Sequence, residues 1–96
     1  MGRNKKIELH EVIFRKKGLD SIDMDGEKVM MNIEKGKYYG FNSVGSRIWD
    51  LIEEPLTVQE VISVLLSEFK IDVKTCHDTV LKFLEGLYHE DLVSFK

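Results

Sequence analysis

The chain has 96 residues, 43% of them hydrophobic and 32% charged, with a net charge of −3. This is the composition of one small globular domain, 1–96, and one cysteine excludes an internal disulfide and a multi-cysteine zinc site. No apolar run is long enough to span a bilayer and no signal-peptide core is present, so a cytoplasmic protein without membrane contact is expected.

The charge is uneven. Residues 1–17 carry a net +4, from Arg3, Lys5, Lys6, Arg15, Lys16 and Lys17 against Glu8 and Glu11, which leaves −7 on the rest. An acidic body is a poor nucleic-acid ligand, because affinity there comes largely from neutralised phosphates. The basic terminus reads as a solubilising, flexible segment over 1–8, with contact to RNA or an acidic membrane as the other reading.

In chain order, Leu9 to Phe14 is strand-like and is broken at Lys16-Lys17-Gly18. Leu19 to Ile22 is a second short extended piece. Asp25-Gly26 supplies the positive φ of a tight turn. Lys28 to Ile33 is a β-branched and methionine-rich strand, Glu34-Lys35-Gly36 turns again, and Lys37 to Phe41 follows. The pattern predicts an antiparallel meander. In its last strand Lys37, Tyr39 and Phe41 share one face, Tyr38 and Gly40 the other. Gly40 is unusual inside a strand; it marks either a tolerated bulge or a close approach of another backbone.

Three helices are expected next. The first starts at Ser43 as N-cap and buries Val44, Ile48, Leu51 and Ile52, with Trp49 as a core anchor on its flank. It ends before Pro55. The second opens on a capping box, Thr57 with Glu60, and a staple of Leu56 on Val61; Val58, Val61, Ile62, Leu65, Leu66 and Phe69 form its stripe. Asp72 caps the third. Its core stripe is Val73, Cys76, Val80, Phe83, Leu84 and Leu87. A second stripe, His77, Leu81, Leu84 and Tyr88, is either more core or the wall of a groove. Leu92 to Phe95 closes the chain as a short strand.

No catalytic constellation emerges. Cys76 and His77 are helix neighbours about 100° apart, which prevents a nucleophile–base pair. His10, His77 and His89 lack metal-ligand spacing, and Asp23, Asp25 and Glu27 fall short of a calcium loop. No metal, no cofactor and no enzyme activity are expected. A meander with three helices is also the element order of winged helix-turn-helix proteins. A DNA-reading role is disfavoured, because Lys74 and Lys82 face Asp78, Glu85, Glu90 and Asp91 along the third helix.

The stretch Asp23–Val61, with Leu65–Asp72, Val80–Leu87 and Leu92-Val93, resembles the PqqD-like proteins, RiPP recognition elements that bind the leader of a ribosomally made precursor peptide. The spacing of Ile48, Trp49, Ile52 and Pro55 looks most like the free-standing members of lasso-peptide pathways. The resemblance implies an α+β, winged helix-turn-helix-like fold: an N-terminal three-stranded antiparallel sheet packed on three helices. It implies that the leader adds as a strand along the third strand, beside the third helix, and is handed to a separate leader peptidase and a cyclase. It also implies a tyrosine and a proline of the leader entering an apolar pocket, and a capacity to form homodimers. The peptide-binding residues expected are Lys37, Tyr38, Tyr39, Gly40, Phe41, His77, Leu81, Leu84 and Tyr88, with charge contacts from Lys35, Arg47 and Lys74. Relatives often carry Gly before the final Leu-Val; here Asp91 stands where a left-handed cap is expected.

Overall fold

A computed structural model of the chain describes residues 6–25 and 27–96. Its elements are β1 (Val12–Arg15), β2 (Asp20–Met24), β3 (Glu27–Asn32), β4 (Lys37–Phe41), α1 (Ser43–Leu51), β5 (Leu56–Thr57), α2 (Val58–Glu68), α3 (Val73–His89) and β6 (Val93–Phe95). Arg3, Lys5 and Gly26 lie outside the described residues, and with them the first part of the basic terminus and the glycine of the first tight turn.

The expected meander forms. β2, β3 and β4 are antiparallel neighbours in that order, with Lys28 opposite Phe41 and Asn32 opposite Lys37. Its inner face carries Met30 and Phe41, both buried, while Tyr38 on the outer face is 74% exposed. The alternation follows from the strand's period of two.

A second three-stranded sheet accompanies the meander: β1 pairs with β5 on one side and β6 on the other. The physical reason lies in the start of α2. The Val58 and Gln59 amides, which have no partner inside their own helix, donate to the Glu11 and Leu9 carbonyls. That docks the N-terminal segment on α2 and buries Ile13, while Ile7 reaches the same core. Of the segment 1–8 expected to be flexible, 1–5 lie outside the described residues, and Ile7 is buried.

The helices start largely where their caps predict. Thr57 and Glu60 make the reciprocal capping box, and Asp72 accepts from the Thr75 amide. At α1 the cap is one residue earlier than expected: Asn42, not Ser43, accepts the Gly45 amide at 2.8 Å. Ser46, buried in the next turn, joins α1 to the meander. Its Oγ accepts the Lys28 amide at 2.8 Å and donates to the Phe41 carbonyl at 3.2 Å. Trp49 lies beneath, 5.6 Å from Phe41 between ring centres, with the Arg15 guanidinium 5.0 Å from its ring. One continuous core runs from Ile13 through Met30, Trp49, Ile62 and Val80 to Leu92.

The end of α3 resolves the Asp91 question. The Leu92 amide donates to the Leu87 carbonyl and the Asp91 amide to that of Tyr88, the paired bonds of a Schellman cap. Asp91 takes the left-handed position itself, with φ +64°. Its carboxylate accepts from Lys16 at 2.6 Å.

Candidate peptide-binding cleft

The free edge of β4 and the near face of α3 define the site. Among the described residues β4 is the last strand of its sheet, so one row of its backbone groups has no partner strand there. Ladder bonds alternate along an antiparallel pair. The Lys28 amide points toward β4, where Ser46 holds it, so Lys37, Tyr39 and Phe41 turn their backbone groups to β3. Tyr38 and Gly40 then present theirs at the open edge.

Between this edge and α3 lies an open cleft of two adjoining hollows, about 370 and 390 Å³. The first is lined by Tyr39, Gly40 and Phe41 on the strand and by Gly86, Leu87 and Glu90 on the helix, with Leu92 below. The second is lined by Val44, Gly45 and Ile48 of α1 and by Thr79 of α3. Lys82 and Phe83 border both. Phe83 is held edge-on to Phe41, 5.2 Å between centres. A Cβ on Gly45 would stand 2.9 Å from the Phe83 ring, so glycine there lets the ring lie between the two hollows.

Gly40 and Gly86 are different. A Cβ on either would meet nothing within 4 Å. The space beside Gly86 opens on the cleft, whereas that of Gly40 lies on the outer face with Tyr38, leaving only the Gly40 backbone at the cleft.

Glu90 closes one end. Its carboxylate accepts from the Tyr39 hydroxyl at 2.9 Å and from Lys37 at 3.4 Å, and its carbonyl accepts from Lys35 at 3.0 Å. The Tyr39 hydroxyl, then the Lys37 ammonium, hold the Glu90 carboxyl below the usual carboxylate range. Burial, reinforced by Glu90, raises the Tyr39 phenol. This set ties the start of β4 to the end of α3 and fixes the width of the cleft there.

The expected site residues divide. Tyr39, Gly40 and Phe41 line the cleft, and Lys37 and Lys35 stand at its closed end through Glu90; Tyr38 projects from the outer face. The second α3 stripe is placed elsewhere. Leu84 is fully buried, Tyr88 packs edge-on against Phe95 at 5.4 Å, and His77 and Leu81 are half-buried without lining either hollow. The helix face on the cleft is instead Thr79, Lys82, Phe83, Gly86, Leu87 and Glu90, roughly 160° away, on the other side of the core stripe. Arg47 forms a forked pair with Glu68 at 2.7 and 2.8 Å, and Lys74 pairs with Asp78 at 3.3 Å. Neither lines the cleft. The sequence signal for the face that lines the cleft was Gly86, a helix-weakening residue on the same side as Lys82, Phe83 and Leu87.

Cys76 is buried, with its sulfur 3.9 Å from the Ile62 carbonyl, and burial pushes its thiol up, away from thiolate reactivity. Among the described residues no group of three His, Cys, Asp or Glu could hold a metal ion. None of their helices is long and apolar enough to cross a membrane.

An edge strand that faces a helix across an apolar cleft has the form of a strand-addition site for an extended peptide. The profile of the family described as Coenzyme PQQ synthesis protein D (PqqD) matches residues 27–93, and the chain belongs to this family. The matched stretch runs from β3 into β6 and so contains the whole cleft. No curated protein matches the chain in sequence. Among solved structures it is similar to TbiB1 in complex with the TbiA(beta) leader peptide. The TM-score is 0.76 and the identity 30%, over 84% of this chain and 94% of the other.

Proposed function

We propose that the chain is a single, non-catalytic peptide-binding domain that recognises the leader of a ribosomally synthesised precursor peptide. The leader adds as a strand to the open edge of β4 and lays alternate side chains into the cleft beside α3. The observation that carries this reading is the free β4 edge beside an apolar hollow that continues between α1 and α3, with Gly86 leaving space on the helix wall. Likeness to a protein whose solved complex holds a leader peptide supports it.

On this reading Lys37–Phe41 supply the backbone contacts and strand wall, and Phe83, Gly86 and Leu87 the helix wall. Leu84 and Tyr88 act through the core that holds α3 in place. The tyrosine and proline expected of a lasso leader suit the two hollows. The pathway is then lasso-peptide biosynthesis in the cytoplasm, with delivery to a separate leader peptidase and a cyclase. The fold serves as a winged helix-turn-helix variant whose sheet edge, rather than a recognition helix, meets the ligand. A second copy on the same open edge is the route to a homodimer.

The test uses Gly40→Pro, which removes the outward amide from an edge strand, a position where proline is tolerated. Circular dichroism should stay that of the parent, while binding of the leader from a co-encoded precursor is lost. Cleavage of that precursor by its peptidase should lose its stimulation by the protein. Leader binding that survives both Gly40→Pro and a bulky Gly86→Leu would overturn the cleft assignment.

A further inference from the structure

We propose that Lys82 reads a carboxylate on the bound peptide, so that the guest carries an acidic side chain with an apolar one two residues before it and another two residues after it. This rests on the peptide-binding reading of the cleft and adds its side-chain specificity.

The other cations first expected to meet the guest are engaged within the chain. Lys35 and Lys37 are held by Glu90, Arg47 by Glu68, and Lys74 by Asp78. Lys82 is exposed, borders both hollows, and has no hydrogen bond or ion pair among the described residues. On one side of it lie Phe41, Gly86 and Leu87; on the other, Val44, Gly45 and Ile48. The cleft is therefore apolar, cationic and apolar along its length.

The spacing fits an extended guest. Along α3, Gly86 and Lys82 are separated by about 6 Å at 1.5 Å per residue. Side chains on one face of a strand repeat at roughly 6.8 Å. A strand following the helix thus places successive same-face residues in the first hollow, at Lys82, and in the second hollow. A guest that covered Lys82 without a counter-charge would leave an ammonium under apolar surface, which is unfavourable. Rejection of such guests gives specificity beyond the attraction itself.

The experiment screens a displayed library of random peptides against the protein, Lys82→Glu and Gly86→Leu. The parent should enrich peptides with Asp or Glu between apolar residues at every second position. Lys82→Glu should shift that central position to Lys or Arg. One synthesised parent-selected peptide should bind Lys82→Glu about tenfold more weakly, and its acidic-to-Lys counterpart should recover the loss. If both proteins enrich the same peptides, Lys82 contributes only its aliphatic stem and the proposal falls, while the cleft reading stands. If nothing is enriched, or Gly86→Leu enriches what the parent does, the cleft reading falls and the proposal with it.

Discussion

Replacing Gly86 with alanine should make the protein more stable and a worse binder. Glycine inside a helix costs about 0.8–1.0 kcal/mol relative to alanine. Here nothing offsets the gain, because the added methyl meets no atom within 4 Å. For a domain of this size, 1 kcal/mol moves the midpoint by roughly 4–8 °C, so the thermal midpoint should rise by about 4–7 °C. The methyl projects into the hollow that a guest side chain is proposed to fill. Overfilling a packed site costs roughly 1–3 kcal/mol, which is about a 5- to 150-fold loss of affinity. Thermal denaturation followed by circular dichroism gives the first quantity, and calorimetric titration with a leader peptide gives the second. A variant that is stabilised and binds as the parent does would refute the claim that the guest occupies this hollow. A destabilised variant would refute the placement of Gly86 on an open face.

Further predictions concern the elements around the cleft. Asn42→Ala should cost about 1 kcal/mol in urea denaturation, because it removes the acceptor for the Gly45 amide, whereas Ser43→Ala should change little. Asp91→Ala should destabilise by roughly 1 kcal/mol or more, because a left-handed φ strains an ordinary side chain. Asp91→Gly relieves that strain and forgoes the part-exposed Lys16 pair, worth at most about 1 kcal/mol, so it should be neutral or stabilising by the same assay. Glu90 has a folded-state pKa below its unfolded value. Its contribution is therefore present above the unfolded carboxylate value and is lost as pH falls through the folded one. Glu90→Gln should flatten the acid side of the stability–pH curve and leave the neutral side unsloped; an unchanged acid limb would show that the Tyr39–Lys37–Glu90 set does not form.

Features set by local chemistry were legible in the sequence. Lys37–Phe41 was bounded by turn residues and read to the residue, as was its alternation, because period two leaves only one assignment once Phe41 is core. Thr57 with Glu60 and Asp72 marked two helix starts. What escaped depended on contacts between distant segments. β1 joins a second sheet beside the start of α2, whose first amides need acceptors, and β5 is two residues inside a capping motif, too short to carry a pattern. The cap of α1 was assigned to Ser43 because two good N-cap residues are adjacent there, and only the backbone distinguishes Asn42. The α3 face that lines the cleft lies roughly 160° from the stripe His77, Leu81, Leu84 and Tyr88 that the sequence suggested. Both stripes are apolar, and Tyr88 has a partner in Phe95 that sequence spacing does not reveal. The charges Arg47 and Lys74 read as available and were found with Glu68 and Asp78.

The most direct test of the account is an amide NMR titration of the protein with a leader peptide. Shifts should concentrate on Lys37–Phe41 and on Thr79, Lys82, Phe83, Gly86 and Leu87, with the Tyr38 and Gly40 amides newly protected from exchange. Tight binding with shifts confined to the β5–β1–β6 sheet, or to the β2 edge of the meander, would contradict it.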